Sequence, residues 1–542
     1  MEMTQRAYTL VSVILSCMMQ LCYASGAQYT EGIDTLAVHD SIISLDTVVK
    51  MPATKDAPTI ASKDSVTPAK ALDLPEIVHP SVGESVSFGD NKWIKLVDKL
   101  QNFSGELSRP RDPDIYSPKS VNIHPSGSKF YVNSLEGGKT IVYSLPELKK
   151  LTVVSHRFDE SHSHLWTPQS GLFKFRHYSD KLGCFIGKPV ESVFSHNGRY
   201  LWVPYYRRSY DINAQDPSAL AVIDTSSDSI VRIMEAGVLP KMIAVSPDSA
   251  TVAVTHWGDN TVGIIDISSR NPVEWRYKVN VAVERQLFHD FSLTVPVDRD
   301  KNTGEALRGT VFMPDGRYLL VGCMSGGGIA VIDVGNAKYL GKLTGIMPNV
   351  RHLVINGNWL YASINVAGYV QRVSLHEISE AIGLLEKSRQ VAVEGWQSVK
   401  VAPGARTLEL SPRGDYIFVA CNFGSKICVV DSSMHKLAEI PVDSYPVGLG
   451  ISPDGKWLIS TSQGRRNMGG NCVDIFQLKG VDPIEEFEAG KSKFDNKCLP
   501  TDTIICHANK SPLQSESVKG WHPLYFLAIG FLLLLLLCLL FR

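Results

Sequence analysis

The chain has 542 residues, 44% of them apolar and 20% charged, with a formal net charge of −1 at pH 7. That composition excludes a wholly disordered or collagen-like chain. The near-zero charge excludes bulk attraction to nucleic acid or anionic lipid, so no nucleic-acid partner is expected and recognition by charge has to come from local clustering.

The N-terminus carries Arg6, an apolar run from Ala7 to about Tyr23, and small residues at Ala24, Ser25, Gly26 and Ala27. A basic start, an apolar stretch and a small-residue exit predict a secretory signal peptide over residues 1–27. Two other readings stay open: a lipoprotein cleavage box at Ile14-Leu15-Ser16-Cys17, and an uncleaved signal anchor. Residues 28–83 are rich in Thr, Ser, Ala, Pro and Asp and show no sustained period, as in Pro52-Ala53-Thr54-Lys55-Asp56-Ala57-Pro58. Such a segment cannot bury enough apolar area to offset its ordering entropy, so a disordered spacer is expected.

From 84 to 480 the chain repeats itself. Each copy has an apolar strand, a tight turn, a second strand, a variable loop and a third strand that often ends in aspartate. The seven turns lie at His124-Pro125-Ser126-Gly127, Ser195-His196-Asn197-Gly198, Ser246-Pro247-Asp248-Ser249, Met313-Pro314-Asp315-Gly316, Ile355-Asn356-Gly357-Asn358, Ser411-Pro412-Arg413-Gly414 and Ser452-Pro453-Asp454-Gly455. Pro and Gly at fixed offsets set the turn dihedrals. The second strands are aromatic, as in Tyr200-Leu201-Trp202-Val203 and Tyr416-Ile417-Phe418-Val419. Third strands include Ala221-Val222-Ile223-Asp224, Gly263-Ile264-Ile265-Asp266, Ala330-Val331-Ile332-Asp333 and Cys428-Val429-Val430-Asp431, whose aspartates suit turn initiation. Repeats of one small antiparallel sheet describe propeller blades.

Over roughly residues 115–480 the pattern resembles the YVTN-type repeat propellers, bacterial surface and periplasmic proteins related in fold to lactonase and quinoprotein propellers. The resemblance implies an all-β fold, a seven-bladed β-propeller of four-stranded antiparallel blades, and is silent about activity. The last copy supplies only three strands. Ser85-Val86-Ser87-Phe88 and Trp93-Ile94-Lys95-Leu96-Val97 are therefore expected to complete it, because an open edge is a liability.

Beyond the repeats, 481–520 reads as a charged juxtamembrane stalk. Leu524 to Phe541 is an uninterrupted apolar run with Trp521 and Tyr525 at one end and Arg542 at the other. At 1.5 Å per residue it spans about 27 Å, close to the hydrocarbon thickness of a bilayer. A transmembrane helix over 521–542 is expected, the alternative being a cleaved lipid-anchor signal after Ser515 and Ser517. Together the ends predict a single-pass membrane protein with its bulk periplasmic or extracellular.

Seven cysteines lie outside the terminal apolar runs: Cys184, Cys323, Cys421, Cys428, Cys472, Cys498 and Cys506. An odd number leaves at least one unpaired or intermolecular. Cys421 and Cys428 flank the loop Asn422 to Ile427, and a hairpin centred there would set them opposite one another, which predicts a disulfide.

In a propeller, the loops between second and third strands and the connections between blades share one face. Here those segments are long and varied, and variable loops on a rigid scaffold are where binding sits. The candidate ligand-binding residues are Arg207, Arg208, Lys241, His256, Trp257, Arg351, His352, Arg406, Asn422, Arg465 and Arg466, with Glu136, Lys188, Tyr205, Tyr206 and Asp259 nearby. Converging guanidinium forks suit carboxylate or phosphate, and aromatic faces suit sugars. The expected partners are an anionic or glycan ligand or an envelope protein; the alternative is solvated rim charge. His256 and His352 could ligate a metal or haem. Asp298 to Gly304 resembles the start of a calcium loop but has Thr303 where the turn glycine belongs. No metal or cofactor is therefore expected. Asn102-Phe103-Ser104 and Asn509-Lys510-Ser511 fit glycosylation sequons. No GxSxG, HExxH or P-loop pattern occurs, which favours a non-catalytic binding module. The alternative is a lactonase-like hydrolase or cofactor-dependent oxidoreductase, which would need carboxylates at the mouth, chiefly Glu136, Glu191 and Asp259.

Overall fold

Neighbouring residues on one strand serve different cores, and that decides the architecture. Leu458, Phe476 and Leu478 pack with Phe418, Ile427 and Val429 of the preceding repeat. Ile459, Val473 and Ile475 pack instead with Phe130, Val132 and Ile141 of the first. Side chains alternate across a strand, so a sheet with both faces apolar must be sandwiched between two others. Repeated around the chain, this gives a ring.

A computed structural model describes residues 77–483 apart from 103–109, 179, 289–301, 303 and 465–468. It contains seven sheets in sequence order, a seven-bladed propeller built on four-stranded antiparallel blades. The blades cover 118–155, 157–238, 240–282, 307–344, 350–400, 405–441 and 446–479, and we number them 1 to 7. Lys92–Gln101 pairs antiparallel with Cys472–Lys479, and Ser85–Gly89 adds outside it, so the N-terminal segment closes blade 7 as expected. Ordered contact starts earlier than the expected spacer boundary: Val78 N donates to Ser444 Oγ at 2.8 Å. The signal peptide, the spacer up to residue 76, the stalk from 484 and the terminal apolar run lie outside the described residues. So do Cys498, Cys506, Arg465, Arg466, both sequons in part or whole, and most of the Asp298 loop. Among the described residues no helix is long and apolar enough to cross a membrane.

The aspartates that close the third strands start turns as expected. The Oδ1 atoms of Asp224, Asp266, Asp333 and Asp431 accept backbone N–H groups of Ser226, Ser268, Asn336 and Ser433 at 2.9–3.0 Å. Two departures from the regular repeat were not expected. Blade 2 carries an inserted lobe, with Phe185–Pro189 and Arg157–Phe158 extending its sheet. In blade 5 a helix, α1 (Leu375–Leu384), fills the link between third and fourth strands, and Gln390–Ala392 then pairs parallel with Lys338–Thr344 of blade 4.

The turn of blade 3 shows a local mismatch. Gly127, Gly316, Gly414 and Gly455 hold φ between 68° and 78°, and Ser249 sits at the same turn position with φ 54°. A side chain in that left-handed region costs about 1–2 kcal/mol, partly offset by the lower chain entropy of serine when unfolded. Ser249→Gly should therefore raise stability by about 0.5–1 kcal/mol, read from the urea midpoint; an unchanged or lower midpoint counts against the strain.

Candidate functional site

The innermost strand of most blades opens with a break in register against the second strand. The break skips Lys119 in blade 1, Lys241 in blade 3, Arg308 with Gly309 in blade 4, Arg351 in blade 5, Arg406 in blade 6 and Val447 in blade 7. Such bulges re-aim a side chain. Five blades thus place a cation at one level of the channel, and each of the five residues is 6% exposed or less.

Buried cations need compensation. Part of it is aromatic. Lys241 Nζ lies 4.8 Å from the ring centroids of both Tyr206 and Trp257, and the Arg308 guanidinium lies 4.3 Å from the Trp257 centroid. Arg207 covers Tyr206 at 5.6 Å, giving an alternating run of cations and rings. Arg351 Nη1 reaches the Met324 sulfur at 3.5 Å. Arg406 Nη1 is buried without a hydrogen-bond partner.

Arg406 also lines a cavity of about 30 Å³, together with Arg308, Arg351, His352, Thr407, Met242 and Glu191. The volume is enough for one or two waters, or for a single oxyanion group entering from the mouth. His352 Nδ1 accepts from Leu408 N at 3.1 Å, so the neutral ring carries its proton on Nε2. Burial, reinforced by the Arg406 charge, lowers the His352 pKa to about 4, which keeps the ring neutral at ordinary pH. Around the cavity the lining is dominated by donors, with Glu191 as its carboxylate.

Of the residues expected from sequence, the structure brings Arg351, His352 and Arg406 to the cavity, with Lys241 and Trp257 next to it through Arg308, and Arg207 on the neighbouring Tyr206. Others belong elsewhere. Arg208 follows Arg207 on one strand and so points to the opposite face, where Phe175, Phe185 and Trp166 enclose it at 4.8, 4.9 and 5.3 Å and the Leu182 and Ser218 carbonyls accept its protons. His256 is fully buried inside blade 3 and is no exposed ligand. Its Nδ1 meets Thr261 Oγ1 at 2.9 Å, Thr261 donates to Asp259 at 2.7 Å, and Gly237 N donates to its Nε2 at 3.0 Å. Burial pushes the His256 pKa down to about 3 and that of Asp259 up to about 7, so neither carries charge freely. Tyr205 is likewise internal, bonded to His156 at 2.9 Å. Asn422 Oδ1 lies 3.4 Å from Asn365 Nδ2 and ties blade 6 to blade 5. Glu136 pairs with Lys188 at 2.9 Å.

Sequence reading missed Lys119 and Arg308. The signal was present, because the cation stands six residues before the turn proline in Lys119/Pro125, Lys241/Pro247, Arg308/Pro314 and Arg406/Pro412. The expected opposition of Cys421 and Cys428 does not hold. Cys421 faces Lys426 and Cys428 faces Val419, so the cysteines are diagonal neighbours, free thiols with sulfurs 3.8 Å apart. Among the described residues, Asp443, Cys472 and Asp474 are grouped closely enough to hold a metal. The Lys99 ammonium already lies against that group, 2.5 Å from Asp443.

No family model matches this chain, and no curated protein matches it. Solved structures do. Hydrazine synthase of Kuenenia stuttgartiensis is 13% identical with a TM-score of 0.48, over 70% of this chain and 100% of that one. The β-propeller domain of Cps50 (Swd1) from Myceliophteria thermophila is 12% identical with a TM-score of 0.46, over 70% and 98%. A chain of a mitotic checkpoint complex is 11% identical with a TM-score of 0.46, over 80% and 99%. At such identities no activity passes from them to this chain.

Proposed function

We propose that this chain is a non-catalytic binding propeller, akin in its repeat to the YVTN-type propellers, whose channel mouth receives a ligand through an oxyanion group such as a carboxylate or phosphate. The observation that carries this reading is Arg406 Nη1, a buried donor without a partner, on a residue that lines a cavity together with His352, Arg308 and Arg351. Leaving such a donor unmade costs about 1–3 kcal/mol, which a bound oxyanion would return.

Titration of the purified protein with inorganic phosphate tests this directly. Arg406→Ala should weaken binding by about 1–3 kcal/mol, roughly 5- to 150-fold, with an unchanged thermal midpoint. Arg406→Lys should recover only part, since an ammonium lacks the planar fork. Binding that ignores Arg406, or no saturable binding at low salt, sinks the reading.

We propose further that the propeller is held outside the cytoplasm by the run Leu524 to Phe541, supported by its length, its interfacial Trp521 and Tyr525, and the leader-like N-terminus. The full chain should stay in the membrane pellet after alkaline carbonate extraction, and deletion of residues 521–542 should release it. Release of the intact chain would remove the tether.

A further inference from the structure

The exposed large apolar side chains are unevenly placed. Ile77, Tyr116, Ile212, Phe288 and Val366 are between 46% and 79% exposed, and all five stand on the face where the channel mouth opens. Ile77 precedes Val78, which is bonded to Ser444 in the connection between blades 6 and 7. The Tyr116 carbonyl accepts from Glu136 in the second loop of blade 1. Ile212 lies in the corresponding loop of blade 2, between Tyr200–Arg208 and Pro217–Asp224. Phe288 follows Leu287, whose N–H donates to the Asp259 carbonyl beside blade 3. Val366 N donates to Asn349 Oδ1 at the entrance of blade 5. By contrast Leu151 and Leu437 sit singly on outermost strands, Val273 and Leu384 in links between third and fourth strands, Leu172 in the lobe of blade 2 and Val82 ahead of Ser85–Gly89, as scattered surface residues do.

We propose that this face docks a protein segment that presents one acidic side chain to the cavity and apolar residues to the five surrounding loops. The inference rests on the oxyanion reading of the cavity and names the molecule that carries the oxyanion. A free small anion would be served by the cavity alone and would give the apolar loop tips nothing to cover. A polyanionic surface, whether nucleic acid or a lipid headgroup layer, needs cations spread in reach of many phosphates. Three of the ring cations, Arg308, Arg351 and Arg406, line a cavity sized for one group, which suits a single Asp or Glu side chain. A desolvated polar anchor ringed by apolar contacts is also how small protein interfaces concentrate their affinity.

The test is selection of a random displayed peptide library on the full chain, with each recovered peptide titrated on three proteins. Recovered peptides should share an acidic residue flanked by apolar ones. Replacing that residue by its amide should weaken binding at least ten-fold, as should Arg406→Ala. The double variant Phe288→Ser, Val366→Ser should lose peptide binding by a similar factor while phosphate binding stays at the parent level, which also shows that the double variant is folded. Failure to recover peptides, peptides without a required acid, or binding indifferent to the double variant overturns the docking surface. Binding of vesicles containing 30% phosphatidylserine that is lost in the double variant would assign the face to a membrane and overturn it too. If phosphate binds through Arg406 and the peptides fail, the oxyanion reading stands alone; if phosphate fails as well, both fall.

Discussion

Removing residues 1–101 should leave a chain that neither closes nor melts cooperatively. Lys92–Gln101 makes eight register pairs with Cys472–Lys479, from Trp93 opposite Lys479 to Gln101 opposite Cys472. Ile94 and Leu96 from that strand are fully buried against blade 6, and Leu100 packs toward blade 1. Without the strand, blade 7 exposes the whole edge of Cys472–Lys479, and edges of that length recruit other chains. Both clusters that flank blade 7 lose wall residues at once, so the loss propagates to the two neighbouring blades. Leu96→Ala is the graded version and should cost about 2–5 kcal/mol. Size-exclusion and thermal melting decide the matter: a truncated chain that elutes as a monomer and melts at the parent temperature would show that closure by this strand is dispensable.

Closure was legible because it follows from counting. A copy with three strands and an upstream pair of apolar runs leaves little choice. The blades were legible for a local reason: each turn needs Pro or Gly at a set dihedral, and each second strand is an apolar run, aromatic in all but blade 3. The elements that escaped lack such markers. Helix α1 begins with the capping box Ser374/Glu377, yet it interrupts a blade between its third and fourth strands, away from the markers of the repeat. The parallel strand Gln390–Ala392 is three residues long and is specified by where α1 delivers the chain, which no local pattern encodes.

The site was legible in charge and illegible in direction. Arg207 and Arg208 are adjacent in sequence and look equivalent, but strand parity sends one toward the mouth and the other into an aromatic box. His256 reads as a loop histidine, but it ends the strand Thr251–His256 and turns inward to Thr261. The bulges are the reason the cations escape strict alternation. Lys119, Lys241, Arg308, Arg351 and Arg406 each occupy the skipped position, so period-two reasoning misplaces them while the constant offset to the turn proline finds four of the five.

Lys99→Met should be the most damaging single substitution in the closing strand. Lys99 Nζ lies 2.5 Å from Asp443 Oδ2 and 3.8 Å from Asp474 Oδ1, and it donates to the Pro80 carbonyl at 2.9 Å. His79 adds a 2.7 Å contact to Asp443 Oδ1. The cluster therefore ties the N-terminal segment to the connection before blade 7 and to blade 7 itself. Asp443 and Asp474 are fully buried, so removing the ammonium leaves two carboxylates that must share a dry site, at a cost of about 3–5 kcal/mol. The two carboxylates are not equivalent. Burial pushes Asp443 up, but His79 and Lys99 pull harder and hold it below its ordinary value. Its contribution is thus present above the unfolded pKa and lost as pH falls through the lower folded one. Burial, then the Asp443 charge, holds Asp474 well above its ordinary value. Ionising Asp474 therefore works against the fold as pH rises from the unfolded toward the folded pKa. Asp474→Asn removes that opposition, and its side-chain oxygen can still accept from Asp443 N, now at 2.9 Å. It should cost less than about 1 kcal/mol and should shrink the stability lost as pH rises. Urea midpoints of the three proteins between pH 3 and 8 read both effects: Lys99→Met should flatten the acid limb that Asp443 supplies. A Lys99→Met protein as stable as the parent, or an Asp474→Asn protein as damaged as Lys99→Met, would show that the ammonium does not hold this seam.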